Sequence, residues 1–182
     1  MPEKQTSKTQ GPPGETDEKG TNNDSMFVLA DGYGSSGNSS SSHAGMIPAL
    51  SALYLFVSYG ASGALSAAGQ AMAQRDGLDL SHPRRRLAQL EGLPLRLYSA
   101  HANLLDNFPA YALAAALTQS LRPGDGHLVG LLGLHVLAKV FVYYPAYVAD
   151  VPAVRSPAHL LANAAAINVC WKLATTAAAA AS

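Results

Sequence analysis

Residues 96–109 read RLYSAHANLLDNFP and lie near the start of an apolar segment that continues to about residue 118. On a helix of 3.6 residues per turn, Arg96, Ser99, Asn103, Asp106 and Asn107 fall within one stripe about 100° wide, because their offsets stay close to whole turns. The rest of the helix surface is mostly Leu, Ala, Tyr and Phe. A carboxylate at the centre of a bilayer costs about 2.5 to 3.5 kcal/mol. The stripe is therefore expected to face protein or water while the remaining faces meet apolar surroundings.

On either side of this stretch, the chain resolves into four apolar segments. The first, about 46–72, carries no charged residue and is long enough to cross a hydrocarbon core of about 30 Å. Its small residues Gly60, Gly63, Ala64, Ala67 and Ala68 are expected to admit a neighbouring helix closely. The others span about 95–120, 127–149 and 157–181. Residues 121–126, LRPGDG, and 150–156, DVPAVRS, read as turns. The pattern predicts an all-α, integral membrane, up-down four-helix bundle. A soluble four-helix bundle is the rival reading, because charges interrupt the later segments.

Residues 1–45 are Gly/Ser-rich, with six acids against three lysines. So little apolar surface cannot offset the entropy of ordering, and a disordered polar arm is expected. MFVLA at 26–30 is too short, and lacks the basic flank, for a cleaved signal. From Met46 onward nine Lys/Arg face six Asp/Glu, so the zero net charge hides two opposite halves. The basic residues have no accompanying aromatic platform, and no nucleic-acid partner is expected. Cys170 stands alone, which excludes an intrachain disulfide, and reads as a small buried hydrophobe. No metal site is expected.

The longest connection carries Arg75, Arg84, Arg85, Arg86 and Arg96, whereas the opposite side offers Arg122 near a helix end. The positive-inside rule then puts the 75–96 and 150–156 loops in the cytosol and both termini on the other face. In the third segment His135, Lys139, Tyr143 and Tyr147 recur every four residues and share a slowly turning face. Pro145 should bend the helix there. Position alone also suits an interfacial aromatic belt for the two tyrosines and a snorkelling role for Lys139. His101, off the polar stripe, is expected to be hydrogen-bonded at a helix contact.

The order Arg96, Ala100, Asn103, Asp106, Pro109 resembles the second-helix signature of the MAPEG family, the membrane-associated proteins in eicosanoid and glutathione metabolism. YYPAYVADVPAVRS, residues 143–156, looks like the family's second signature, two tyrosines four apart before an arginine in the following loop; Tyr143, Tyr147 and Arg155 match it. Their spacing resembles bacterial and fungal members. The match extends over roughly 46–175.

The resemblance implies a homotrimer with glutathione, a co-substrate, bound between subunits at the cytosolic end. It also implies that Arg96, Asn103, Asp106 and Tyr143 hold the tripeptide and that Arg155 and Tyr147 are catalytic. The chemistry is consistent, since glutathione has two carboxylates for arginines and an amine for an acid, and its thiol reacts as the thiolate. A guanidinium that lowers a thiol pKa by about two units supplies about 2.7 kcal/mol. The expected activity is a microsomal glutathione transferase-like conjugation, or peroxide reduction, on a hydrophobic substrate arriving through membrane lipid. In eukaryotes the endoplasmic reticulum is the expected location. The sequence departs from the family pattern at Ser99, where several glutathione-using members have arginine, at Asp106, shorter than the usual glutamate, and at Lys139, one residue from a usual arginine. A non-catalytic lipid-binding scaffold and a small channel or transporter subunit therefore stay open.

Overall fold

A computed structural model describes residues 43, 45–75 and 88–181, all within Asn38–Ser182, the second of two units into which the chain divides. The expected disordered arm lies almost wholly outside the described residues, as do Arg84, Arg85 and Arg86 of the basic connection. Among the described residues there are four long helices and no strand.

Helix α1 runs over 46–75, with a π-helical turn at Phe56–Ala61 between α-helical Met46–Leu55 and Ser62–Arg75. Helix α2 is Gly92–Leu121. Helix α3 covers 126–148 as Gly126–Leu137, a π-helical turn Ala138–Tyr143, and Tyr144–Val148. Helix α4 is Pro152–Ala181. The π turn of α3 ends just before Pro145, which cannot donate to the preceding turn, so the irregularity falls where proline predicts a bend.

The connections are tighter than expected. Asp125 caps α3, its Oδ1 accepting from the backbone N–H groups of His127 at 3.0 Å and Leu128 at 3.1 Å. Between α3 and α4, Asp150 takes φ 59°, a left-handed conformation that Asp tolerates better than most residues. The N–H of Val151 donates to Ala146 O at 2.9 Å, closing the end of α3. Pro152, with its φ already helical and no N–H to satisfy, opens α4. Arg155 consequently sits inside the first turns of α4, not in the loop that the sequence predicts.

Helices α1 and α2 meet along their lengths, from Ser51 Oγ against the Tyr111 hydroxyl at 3.3 Å to Ser62 Oγ against His101 Nδ1 at 2.9 Å. His101 is thus hydrogen-bonded at a helix contact, as expected. Farther along, a Cβ on Gly69 would lie 3.0 Å from Leu97 Cδ1 and 3.3 Å from the backbone of Pro94, so α2 approaches too closely there for a side chain. The small-residue face agrees only in part with the one the sequence predicts: Gly63 is half-buried, its Cβ position 3.4 Å from the His101 ring of α2, while Gly60, Ala64, Ala67 and Ala68 are exposed and Ser62, Ser66 and Gly69 are buried.

The core is aromatic at its centre. The Tyr54 ring centroid lies 5.5 Å from Phe108, 5.0 Å from Tyr111 and 5.4 Å from His135. The outside is apolar too: Phe56, Leu113, Phe141, Leu160 and Trp171, drawn from all four helices, are exposed. Two helices are apolar and long enough to cross a membrane, Met46–Gln74 with mean hydropathy 1.3 and Gly126–Val148 with 1.6. The other two of the four expected spans carry more polar residues, among them Asn103, Asp106 and Asn107 on α2 and His159, Asn163, Asn168 and Lys172 on α4.

Candidate functional site

The α3 ladder and the start of α4 interlock. Arg155, His159 and Ala162 lie on the side of α4 that meets α3. Each faces a rung of the ladder. The Arg155 guanidinium carbon stands 4.5 Å from the Tyr147 ring centroid. His159 Nδ1 is 2.8 Å from Lys139 Nζ, and its ring centroid is 5.4 Å from that of Tyr143. Deepest, the Ala162 carbonyl pairs with His135 Nδ1 at 2.8 Å. The spacing of four on α3 is matched by near-equal steps on α4, so the two helices present their polar groups in register.

Tyr143 and Tyr147 sit edge to face, with centroids 5.6 Å apart. Tyr143 is only 3 % exposed, which removes it from an aromatic belt at a membrane surface, whereas Tyr147 is half-buried beneath Arg155. Lys139 does not snorkel. It is fully buried, with Nζ on His159 and 4.5 Å from the centre of the Tyr143 ring. Inside the bundle, the imidazole of α4 supplies a nearer polar partner than any headgroup.

The remaining predicted site residues divide between two other places. Arg96 reaches from the start of α2 to the end of α3, where its Nε donates to Val148 O at 3.0 Å and Nη1 lies 3.6 Å from Asp150 Oδ2. A cation on the last carbonyls of a helix meets the negative end of its dipole. Arg96 therefore braces the α3–α4 turn and, half-exposed, is adjacent to the Arg155 region. Along the stripe, Asn103 Nδ2 donates to Ser99 O and Asn107 Nδ2 to Asn103 O, each at 2.8 Å. Each amide spends one of its two N–H donors on its own helix.

Asp106 is exposed and lines an outward groove of about 580 Å³ between α2 and α4, together with Asn107, Asn163, Cys170 and Trp171. Trp171, 71 % exposed, and the apolar wall of Leu113 and Ile167 give the groove a long hydrophobic side. Asp106 has no hydrogen bond or ion pair among the described residues. The chain thus brings Tyr143, Tyr147 and Arg155 together, puts Arg96 beside the same turn, and leaves Asp106 on a separate surface. Sequence reasoning missed His159, Asn163 and Trp171. The signal for the first two was present as Arg155, His159 and Asn163 at intervals of four, parallel to the α3 ladder.

A family model, the MAPEG family, matches residues 47–175. No curated protein and no solved structure matches the chain.

Proposed function

Because the chain belongs to the MAPEG family, we propose that it is a membrane-bound, glutathione-dependent transferase or peroxidase acting on hydrophobic electrophiles or lipid hydroperoxides. The family and the two apolar helices point to a membrane protein. The apolar exterior on all four helices fits lipid or sister subunits as its surroundings.

The observation that carries the reading is the Arg155–Tyr147 pair. A guanidinium stacked on a phenol ring across the α3–α4 contact is fixed in place while its N–H groups stay free to donate. Beside a bound thiol, that guanidinium favours the thiolate and the tyrosine hydroxyl orients sulfur or electrophile. Arg96 and Asn103 serve the carboxylates and backbone of the tripeptide, and Asp106 its amine.

Asp106 belongs to this site through a neighbouring subunit. An exposed carboxylate at depth in a helix needs protein or water over it, and a homotrimer of up-down bundles covers the α2–α4 groove with the next copy. The basic 75–96 connection supports placing the Arg155 end in the cytosol, with the endoplasmic reticulum as the location in a eukaryote.

The test is calorimetric titration of glutathione into detergent-solubilised protein, wild type against Arg155→Ala and Asp106→Ala. Saturable binding, weakened in both variants, is expected. An intact wild-type oligomer that binds no glutathione sinks the proposal. One observation favours a second reading, a non-catalytic lipid-binding scaffold: the α2–α4 groove is mostly apolar and holds Asp106 apart from Arg155 within one chain. On that reading a fatty acyl probe binds, and the double change Ser99→Arg with Asp106→Glu is needed before glutathione does.

A further inference from the structure

We propose that Lys139 and His159 form a two-residue proton relay that receives the proton of the thiol bound beside Arg155. The inference rests on the glutathione reading and deepens it by giving the thiol proton a destination inside the protein.

Three features carry it. Lys139 is fully buried, and among the described residues its nitrogen has one hydrogen-bonding partner, His159 Nδ1 at 2.8 Å, and no carboxylate within ion-pair distance. A permanent ammonium there is an uncompensated charge in a dry interior, so burial disfavours it and brings an uncharged amine form within reach. His159 is half-buried and stands one helical turn from Arg155 on α4, so its imidazole bridges the interior and the Arg155–Tyr147 surface. Tyr143 offers its ring face to Lys139 at 4.5 Å, which stabilises an ammonium once it forms. The other titratable groups along this contact are His135, Tyr143 and Tyr147 on α3 and Arg155 on α4. His135 Nδ1 is occupied by the Ala162 carbonyl, which leaves the Lys139–His159 pair to move the proton.

In the form that accepts the proton, His159 Nδ1–H donates to the Lys139 amine and Nε2 presents a lone pair outward. The thiol proton passes to Nε2 as the Nδ1 proton passes to Nζ. The products are a thiolate beside Arg155, an imidazole still neutral with its proton on the other nitrogen, and a Lys139 ammonium. One proton has moved at each nitrogen and the total charge is unchanged. When sulfur has bonded to the electrophile, Nε2–H protonates the anionic oxygen or carbon so formed, and Nζ returns a proton to Nδ1. His159 is then the catalytic residue, because it touches the thiol, and Lys139 is a positioning residue acting through it.

The test uses the full-length oligomer in detergent with glutathione as the probe, tracking thiolate absorbance together with protons released to a weakly buffered indicator. The relay predicts that wild type forms thiolate while releasing well under one proton per site. His159→Gln keeps a hydrogen-bonding side chain that cannot shuttle, and should slow thiolate formation by about 100-fold or more. Lys139→Arg keeps a cation that does not give up its proton, and should slow it similarly; a role confined to charge predicts the wild-type rate instead. One full proton released per thiolate in wild type overturns the relay, and so does a wild-type rate in either variant. A wild-type oligomer that binds no glutathione overturns the relay and the glutathione reading together, whereas normal thiolate formation in both variants overturns the relay alone.

Discussion

Removing the Arg155 guanidinium should reduce the thiolate fraction of bound glutathione at fixed pH by about 30- to 150-fold. Two unit charges 4 Å apart interact with about 1 kcal/mol in bulk water and about 4 kcal/mol at an effective dielectric of 20. Arg155 lies between these limits, since it is half-buried and the Tyr147 ring, 4.5 Å from its guanidinium carbon, shields one face from water. The differential stabilisation is then about 2 to 3 kcal/mol, and each 1.36 kcal/mol is a factor of ten. The cation–π contact itself exists whether the sulfur is protonated or not, so it largely cancels from this difference. The assay is the ultraviolet absorbance of the thiolate at saturating glutathione, in wild type, Arg155→Ala and Arg155→Lys. Arg155→Lys should recover part of the effect, because it keeps the charge but loses the planar stacking and the fork of donors. An Arg155→Ala variant that binds glutathione with its thiolate fraction unchanged refutes the assignment.

Asp106→Asn should weaken glutathione by about 1.5 to 3 kcal/mol, the worth of a hydrogen bond to a charged group, while leaving affinity for a glutathione analogue without the free amine nearly untouched; calorimetry with both ligands checks it. Gly69→Leu forces side-chain atoms into the space now held by Leu97 and the Pro94 backbone and should cost about 1 to 3 kcal/mol, read as a lowered thermal midpoint in detergent. Arg96→Ala removes the donor to Val148 O and the contact with Asp150. It should cost about 0.5 to 1.5 kcal/mol of stability and speed amide exchange around residues 148–151; exchange confined to wild-type rates there would show that the brace is not needed.

The positions of the four helices were legible because apolar runs and the LRPGDG turn are local signals. The start of α4 was not. Two prolines, in and just after DVPAVRS, read as a loop, yet Pro152 occupies a first helical position, where its missing N–H costs nothing. The buried face of α1 was only partly placed because small residues show where a helix can be approached, not which side the neighbour takes. The ladder on α3 could be read from its spacing, but its partners could not. Whether Lys139 reaches outward or into His159 depends on the register of α3 against α4, which neither helix encodes alone. Asp106 was legible as an acid needing a partner, and the described residues supply none.

Polar groups in this chain differ in how far the fold has already committed them. In apolar surroundings an unpaired donor or acceptor is expensive, and this chain meets most such needs within one helix: Ser62 donates to Ser58 O, Thr118 to Ala114 O, and Asn103 and Asn107 to carbonyls one turn back. A second group is settled between helices, His101 on Ser62, His135 on Ala162, Lys139 on His159 and Arg96 on Val148. Arg155 and Asp106 remain outside both arrangements. The first has only a ring beneath it and the second only a groove in front of it. Charges of opposite sign, unspent and held on well-packed helices, suit a ligand that carries both signs. Glutathione does, with an amine for Asp106 and an ionisable sulfur for Arg155, whereas a purely apolar lipid would leave both charges unanswered. On the glutathione reading, the groove's apolar wall suits a second, hydrophobic substrate, which asks for no polar partner there.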